Sequence, residues 1–163
     1  MRHTLFALYV AGSTAILGGF ALAQHHGHNA PQGGGHSAGP PDMRVLVPFP
    51  PELAAHTLAN MRDHLQALQE INDALGRGQN DLAAKVAEER LGMSSLRLHG
   101  AHEVSKFMPQ GMQDAGTEMH RSASRFALAA QTAGVTGDLK PALSALGAVV
   151  GQCVGCHAGY KLK

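Results

Sequence analysis

Near its C-terminus the chain reads Cys153-Val154-Gly155-Cys156-His157, and no other stretch limits its fold and chemistry so tightly. Two thiols separated by two residues and followed at once by an imidazole form the attachment sequence of a c-type haem. The thiols add across the haem vinyl groups as thioethers, and the two intervening residues set the span between those vinyls. His157 then lies under the iron and supplies an imidazole nitrogen as proximal ligand. On a helix, positions 153, 156 and 157 project to one side, because residues three and four apart share a face. The competing reading is a redox Cys-x-x-Cys followed by an unrelated His. That reading expects a βαβ context, and none is visible around the motif. The rest of the chain is therefore read as the holder of one covalently attached haem c.

A length of 163 residues suits one domain. With no Trp, two Tyr and five Phe against abundant Ala, Leu, Gly and Met, the composition favours packed helices over a sheet. The formal charge of +1 gives no reason to expect nucleic acid or an acidic surface as partner. Both cysteines belong to the motif, which leaves no thiol for a structural disulfide.

Residues 1–23 read as a secretory signal peptide. Arg2 and His3 precede an apolar stretch, and Ala21-Leu22-Ala23 is an A-x-A cleavage site. No later stretch is expected to approach a membrane span, so the mature protein is expected to be exported and periplasmic. Export agrees with haem attachment, which takes place on the far side of that membrane. Residues 24–50 read as a disordered arm and lead-in. The arm carries His25, His26, His28 and His36 among Gly, Pro, Ser and Asn, which leaves little to bury. Such a cluster can bind Cu, Ni or Zn weakly, but the composition is read first as a flexible polar leader. Residues 43–51 form an extended, Pro-stiffened lead-in.

From Pro51 onward the pattern is helical, giving a domain over residues 51–163. The first helix starts at Pro51 and bears a stripe of Leu58, Met61, Leu65, Leu68, Ile71 and Leu75 before Gly76 and Gly78 stop it. The second spans 80–98, with Leu82, Val86, Met93 and Leu96 inward. Residues 101–109 make an irregular link. The third helix covers 110–133 on Met112, Gly116, Met119, Ala123, Phe126 and Ala130. The fourth begins near Asp138 and carries Leu139, Leu143, Leu146 and Val150 into the motif. Four amphipathic helices with short connections predict an all-α chain, an antiparallel four-helix bundle with haem on its last helix. No strand competes with this pattern.

A four-helix chain whose haem motif sits on the last helix resembles the class II cytochromes c, which include cytochrome c-prime and its low-spin relatives. Cys153 to Lys161 is similar to that family's terminal Cys-x-x-Cys-His-x-x-Tyr-Arg/Lys signature, and Arg77-Gly78 with Ala83-Ala84 resembles its first interhelix turn and second helix. The resemblance covers residues 51–163. It implies an antiparallel bundle, often a homodimer, with haem between the helices. It also poses one question, namely what lies on the distal side of the iron. High-spin members leave that position open to NO or CO; low-spin members supply a Met from the first helix and carry electrons.

Counting back from Gly78 in the family register places the distal position at Met61 or Arg62. Met61 is the expected distal ligand, although a Met on a helix stripe also reads as core filling. His64, one turn on, could instead give a bis-His haem, and otherwise reads as a surface residue, as does His56. Met112 and Met119 read as core and His120 as solvated. Arg62, Arg121 and Arg125 could pair with haem propionates, or simply face solvent. Tyr160 is expected against the haem edge, with Lys161 and Lys163 supporting the helix C-terminus. No nucleophile, acid–base pair or second metal set is evident, so an enzyme is not expected. The expectation is a periplasmic carrier of single electrons between redox partner proteins, through a His157/Met61 haem. The alternative is a five-coordinate protein that binds NO or CO.

Overall fold

The computed structural model describes residues 41–162. The expected signal peptide, the His-rich arm and Lys163 lie outside them. The described chain is mostly helical, as expected of an all-α protein. Its elements are β1 (Val45–Val47), α1 (Pro51–Gly76), α2 (Asn80–Arg90), a 3-10 turn (Met93–Ser95), α3 (Ala101–Ser105), α4 (Gln110–Thr136), α5 (Lys140–Gly159) and β2 (Tyr160–Leu162).

Local chemistry explains the boundaries of the long helices. Pro51 occupies the first turn of α1, where a missing N–H costs nothing. The helix ends at Gly76, and Gly78 takes a positive φ of 70° that a Cβ would resist. Pro109 precedes α4, and Gly137, at φ 76°, closes it three residues later than expected. Asp138 does not begin α5; its Oδ1 accepts from the Lys140 N–H and so caps the helix from outside.

α2 is eight residues shorter than the sequence pattern suggests, ending at Arg90 rather than Leu98. Gly92 lies so close to α2 that a Cβ there would meet the Glu88 carbonyl oxygen at 2.8 Å. The Glu88 carboxylate accepts from the Ser94 N–H and hydroxyl, and Ser124 Oγ accepts from the Met93 N–H at 3.0 Å. These partners turn the chain away from the helix axis. Residues 101–109 contain a short helix, α3, where only an irregular link was expected.

α4 packs along both α2 and α5, and α1 packs on α2. The core between them is unusually rich in alanine: Ala67, Ala74, Ala83, Ala84, Ala87, Ala123, Ala130 and Ala142 are buried around Phe126, Ile71 and Leu91. This corrects the expected stripes. On α1 the buried face runs through Thr57, His64, Ala67, Ile71 and Ala74, while Leu65 is 67% exposed and Leu58 46%. On α5, Ala142, Leu146 and Val149 face inward, and Leu143 and Val150 do not; Leu82 and Met93 are likewise exposed. Small residues lie where helices approach closely, and the larger side chains flank those contacts. α4 follows its expected stripe closely, with Met112, Met119, Ala123, Phe126 and Ala130 all buried.

The lead-in is part of the domain. β1 pairs in parallel with β2, with Val45 opposite Tyr160 and Val47 opposite Leu162, so a strand pair exists where none was expected. Val47 and Phe49 are buried with Ala54, Val104 and Met112 in a second, smaller core. An ion pair reinforces the clasp: Asp42 accepts from Arg44 at 2.9 Å and from Lys161 at 3.1 Å. α5 also departs from expectation in composition. By length and mean hydropathy (1.3) it is apolar enough to cross a membrane, because Ala, Gly and Val fill it and Lys140 is its one Lys, Arg, Asp or Glu.

Candidate functional site

The motif residues sit on the last two turns of α5, just before Tyr160 turns to extended backbone (φ −132°, ψ 151°). A cavity of about 540 Å³ opens beside them. Cys156, His157, Tyr160, Lys161 and Leu162 form one wall; Thr57, Leu58 and Met61 of α1 form the other, with Met112 and Arg44 completing it. The expected proximal and distal residues, His157 and Met61, therefore face one space from helices almost a hundred residues apart in sequence. Cys153 does not line this cavity. It is partly buried against the large core, and its thiol donates to the Val149 carbonyl at 3.5 Å. Burial pushes both cysteine thiols above their ordinary pKa.

The donors and the lining fit a haem. The Cys156 thiol and the His157 imidazole line it, Cys153 stands one turn back on the same helix, and the lining is mainly apolar. Thr57 Oγ1 is buried in the wall without a partner, a polar atom left for whatever fills the space. Arg44 and Lys161 share the Asp42 carboxylate and together leave one net positive charge at the rim, where carboxylates of a half-buried ligand need it.

The three arginines named as possible propionate partners take the alternative reading and face solvent. Arg62 is exposed and lines neither this cavity nor the next, because its neighbour Met61 takes the inward position. Arg121 is also exposed, and Arg125 pairs with Glu118 along α4. Arg44 enters only because β1 folds back on β2, a non-local pairing without a periodic signal. Tyr160 is where it was expected, at the cavity edge.

A second cavity, of about 350 Å³, shares Thr57 and Met61 with the first and extends away from the motif. His64, His99 and His120 line it. His64 and His120 are each only 7% exposed, so neither is the surface residue it resembled in sequence. Their ring centroids form a triangle: 4.7 Å from His64 to His99, 5.3 Å from His99 to His120, and 6.1 Å from His64 to His120. His64 thus belongs to this cavity and not to the one beside His157. Desolvation is the main cause that lowers all three imidazole pKa values, and it brings His64 to about 4 with help from the other two rings. His56, by contrast, is exposed and holds the His99 carbonyl through Nε2 at 3.1 Å, beside Asn60 Nδ2 at 3.1 Å.

No family model, curated protein or solved structure matches this chain.

Proposed function

We propose that this chain is a monohaem c-type cytochrome of the class II kind, a periplasmic carrier of single electrons. In this reading the signal peptide is removed after Ala23. The helices α1, α2, α4 and α5 act as an antiparallel four-helix bundle around the haem. The observation that carries the proposal is that Cys156 and His157 of the Cys-x-x-Cys-His motif on α5 and Met61 on α1 line one mainly apolar cavity.

Cys153 and Cys156 would hold the group covalently, and His157 would be its proximal ligand. Bound there, haem supplies one-electron chemistry, its iron alternating between Fe(III) and Fe(II). Met61 presents a thioether from the opposite wall, a donor that favours the reduced metal. Leu58, Met112 and Leu162 keep water from the interior, and the net positive charge of Arg44 and Lys161 over the Asp42 they share attracts the propionates. Tyr160 packs at the edge. The chain then acts through redox partner proteins and performs no substrate chemistry of its own; a homodimer is compatible with this reading.

The visible spectrum tests it. The oxidised protein is expected to be low-spin, with the weak far-red band of a thioether–Fe(III) bond. Met61→Ala should abolish that band and give a high-spin spectrum that changes on addition of CO. A wild-type protein that is already high-spin and takes up CO at once would replace the electron carrier with a gas binder. An unchanged spectrum in Met61→Ala would remove Met61 from the iron.

A further inference from the structure

The haem reading leaves the His64–His99–His120 cavity unused, and its chemistry is specific. Three imidazoles bonded to one ion, with metal–nitrogen distances of about 2.0 Å, hold their ring centroids roughly 5–6 Å apart. The triangle of 4.7, 5.3 and 6.1 Å lies close to that range.

The hydrogen bonds sort the ring nitrogens. His120 Nδ1 lies 2.7 Å from the Leu91 carbonyl, an acceptor left free where α2 stops, so this nitrogen carries the proton and donates. Nε2 of His120 then keeps its lone pair. His99 Nδ1 lies 3.4 Å from Ser95 Oγ, whose own proton goes to the Gly92 carbonyl at 2.7 Å. Ser95 can therefore only accept from His99, which frees the lone pair of His99 Nε2. His64 Nε2 is buried and has no hydrogen-bond partner. A buried polar atom without a partner is costly and calls for an explanation. Imidazoles that donate one N–H to a carbonyl or hydroxyl while leaving the other nitrogen free are the pattern of metal ligands held by outer partners.

The backbone is also held in place. His99 sits in a turn whose carbonyl is gripped by His56 and Asn60 of α1, the helix that carries His64. Gly100, at φ 63°, lets that turn close.

We propose that His64, His99 and His120 bind one Cu(I) ion through their Nε2 atoms, with the Met119 thioether from the same cavity wall as fourth donor. Imidazole suits copper and zinc alike, but a thioether favours the softer Cu(I). As the side chains stand, no three His, Cys, Asp or Glu donors among the described residues close on one point. Convergence requires the rings to turn about χ2, a broad and shallow torsion. The site is independent of the haem reading, since it uses neither motif residues nor Met61.

The test uses the full-length purified protein with His25, His26, His28 and His36 replaced by serine, so that the arm cannot contribute. Anaerobic titration with Cu(I) against a competing chelator should show one tight equivalent. His64→Ala and His120→Ala should each weaken it by more than about 100-fold, and Ser95→Ala, which removes an outer partner, by about 10–100-fold. Absence of a tight equivalent, or one untouched by the two histidine variants, would overturn the site. Should those variants misfold, X-ray absorption at the copper edge of the parent decides. Imidazole nitrogens with one sulfur support the site; oxygen ligands or a single imidazole refute it. Iron does not interfere at that edge, and a Cys153→Ser, Cys156→Ser protein, lacking both haem and the competing thiols, that still binds copper would separate this proposal from the haem reading.

Discussion

The two cavities share a wall at Thr57 and Met61, yet they are built in opposite ways. Beside α5 the defining donors are neighbours in sequence: a helix places Cys156 and His157 automatically, and only Met61 must arrive from elsewhere. In the histidine cavity every imidazole comes from a separate element. His64 is on α1, His99 in the turn after the 3-10 segment, and His120 on α4. The first kind of site is secured by covalent spacing and the second by tertiary structure. The second should therefore be the more sensitive to changes that loosen packing without touching a donor.

The largest expected effect separates the two outright. Replacing Cys153 and Cys156 with serine should eliminate covalently bound haem, read as the loss of haem stain in a denaturing gel. Copper uptake by the histidine cavity should persist. Loss of both together would show that the cavities form a single site.

Gly100→Ala should act in the reverse sense. It forces a Cβ into a left-handed residue, costing about 1–2 kcal/mol. The new atom would also meet His56 Nε2 at 3.2 Å, disturbing one of the two grips on the His99 carbonyl. Thermal unfolding should register the loss, copper affinity should fall, and the haem spectrum should stay as it was. A shifted spectrum with unaltered copper binding would invert the comparison.

The smallest effect concerns the clasp beneath the first cavity. The Arg44 side chain first, then its backbone N–H and Lys161, hold the Asp42 carboxyl well below its usual 3.8. A carboxylate whose folded pKa is depressed adds stability above its unfolded value and loses it as pH falls through the folded one. Wild type and Asp42→Asn should therefore differ slightly in Tm at neutral pH and converge as acidity increases below pH 3.8. Curves that stay parallel would mean that the pair adds nothing to the clasp.

What was legible in the sequence follows the same division. The span of α1 and the stripe of α4 could be read from local signals, Pro51, Gly76 and heptad-like spacing, whereas Met61 was singled out through the family register. The end of α2 could not, because it depends on Glu88, Ser124 and His120 capturing groups around residues 91–95. The inward face of α1 was missed by about one position, since Ala67 and Ala74 bury more completely than the larger leucines beside them. His64 and His120 read as surface residues because a lone histidine in a helix carries no sign of the two rings that will meet it. Arg44 reached the motif only through a three-residue strand pair closed over more than a hundred residues.

The central claim is that this fold holds one haem through Cys153 and Cys156. The intact mass of the protein, expressed with a c-type maturation system and then denatured, tests it most directly. The account predicts a chain heavier than its polypeptide by one haem, with the added mass mapping to the peptide that contains both cysteines. A polypeptide mass without haem, with both thiols free to alkylate, would contradict it.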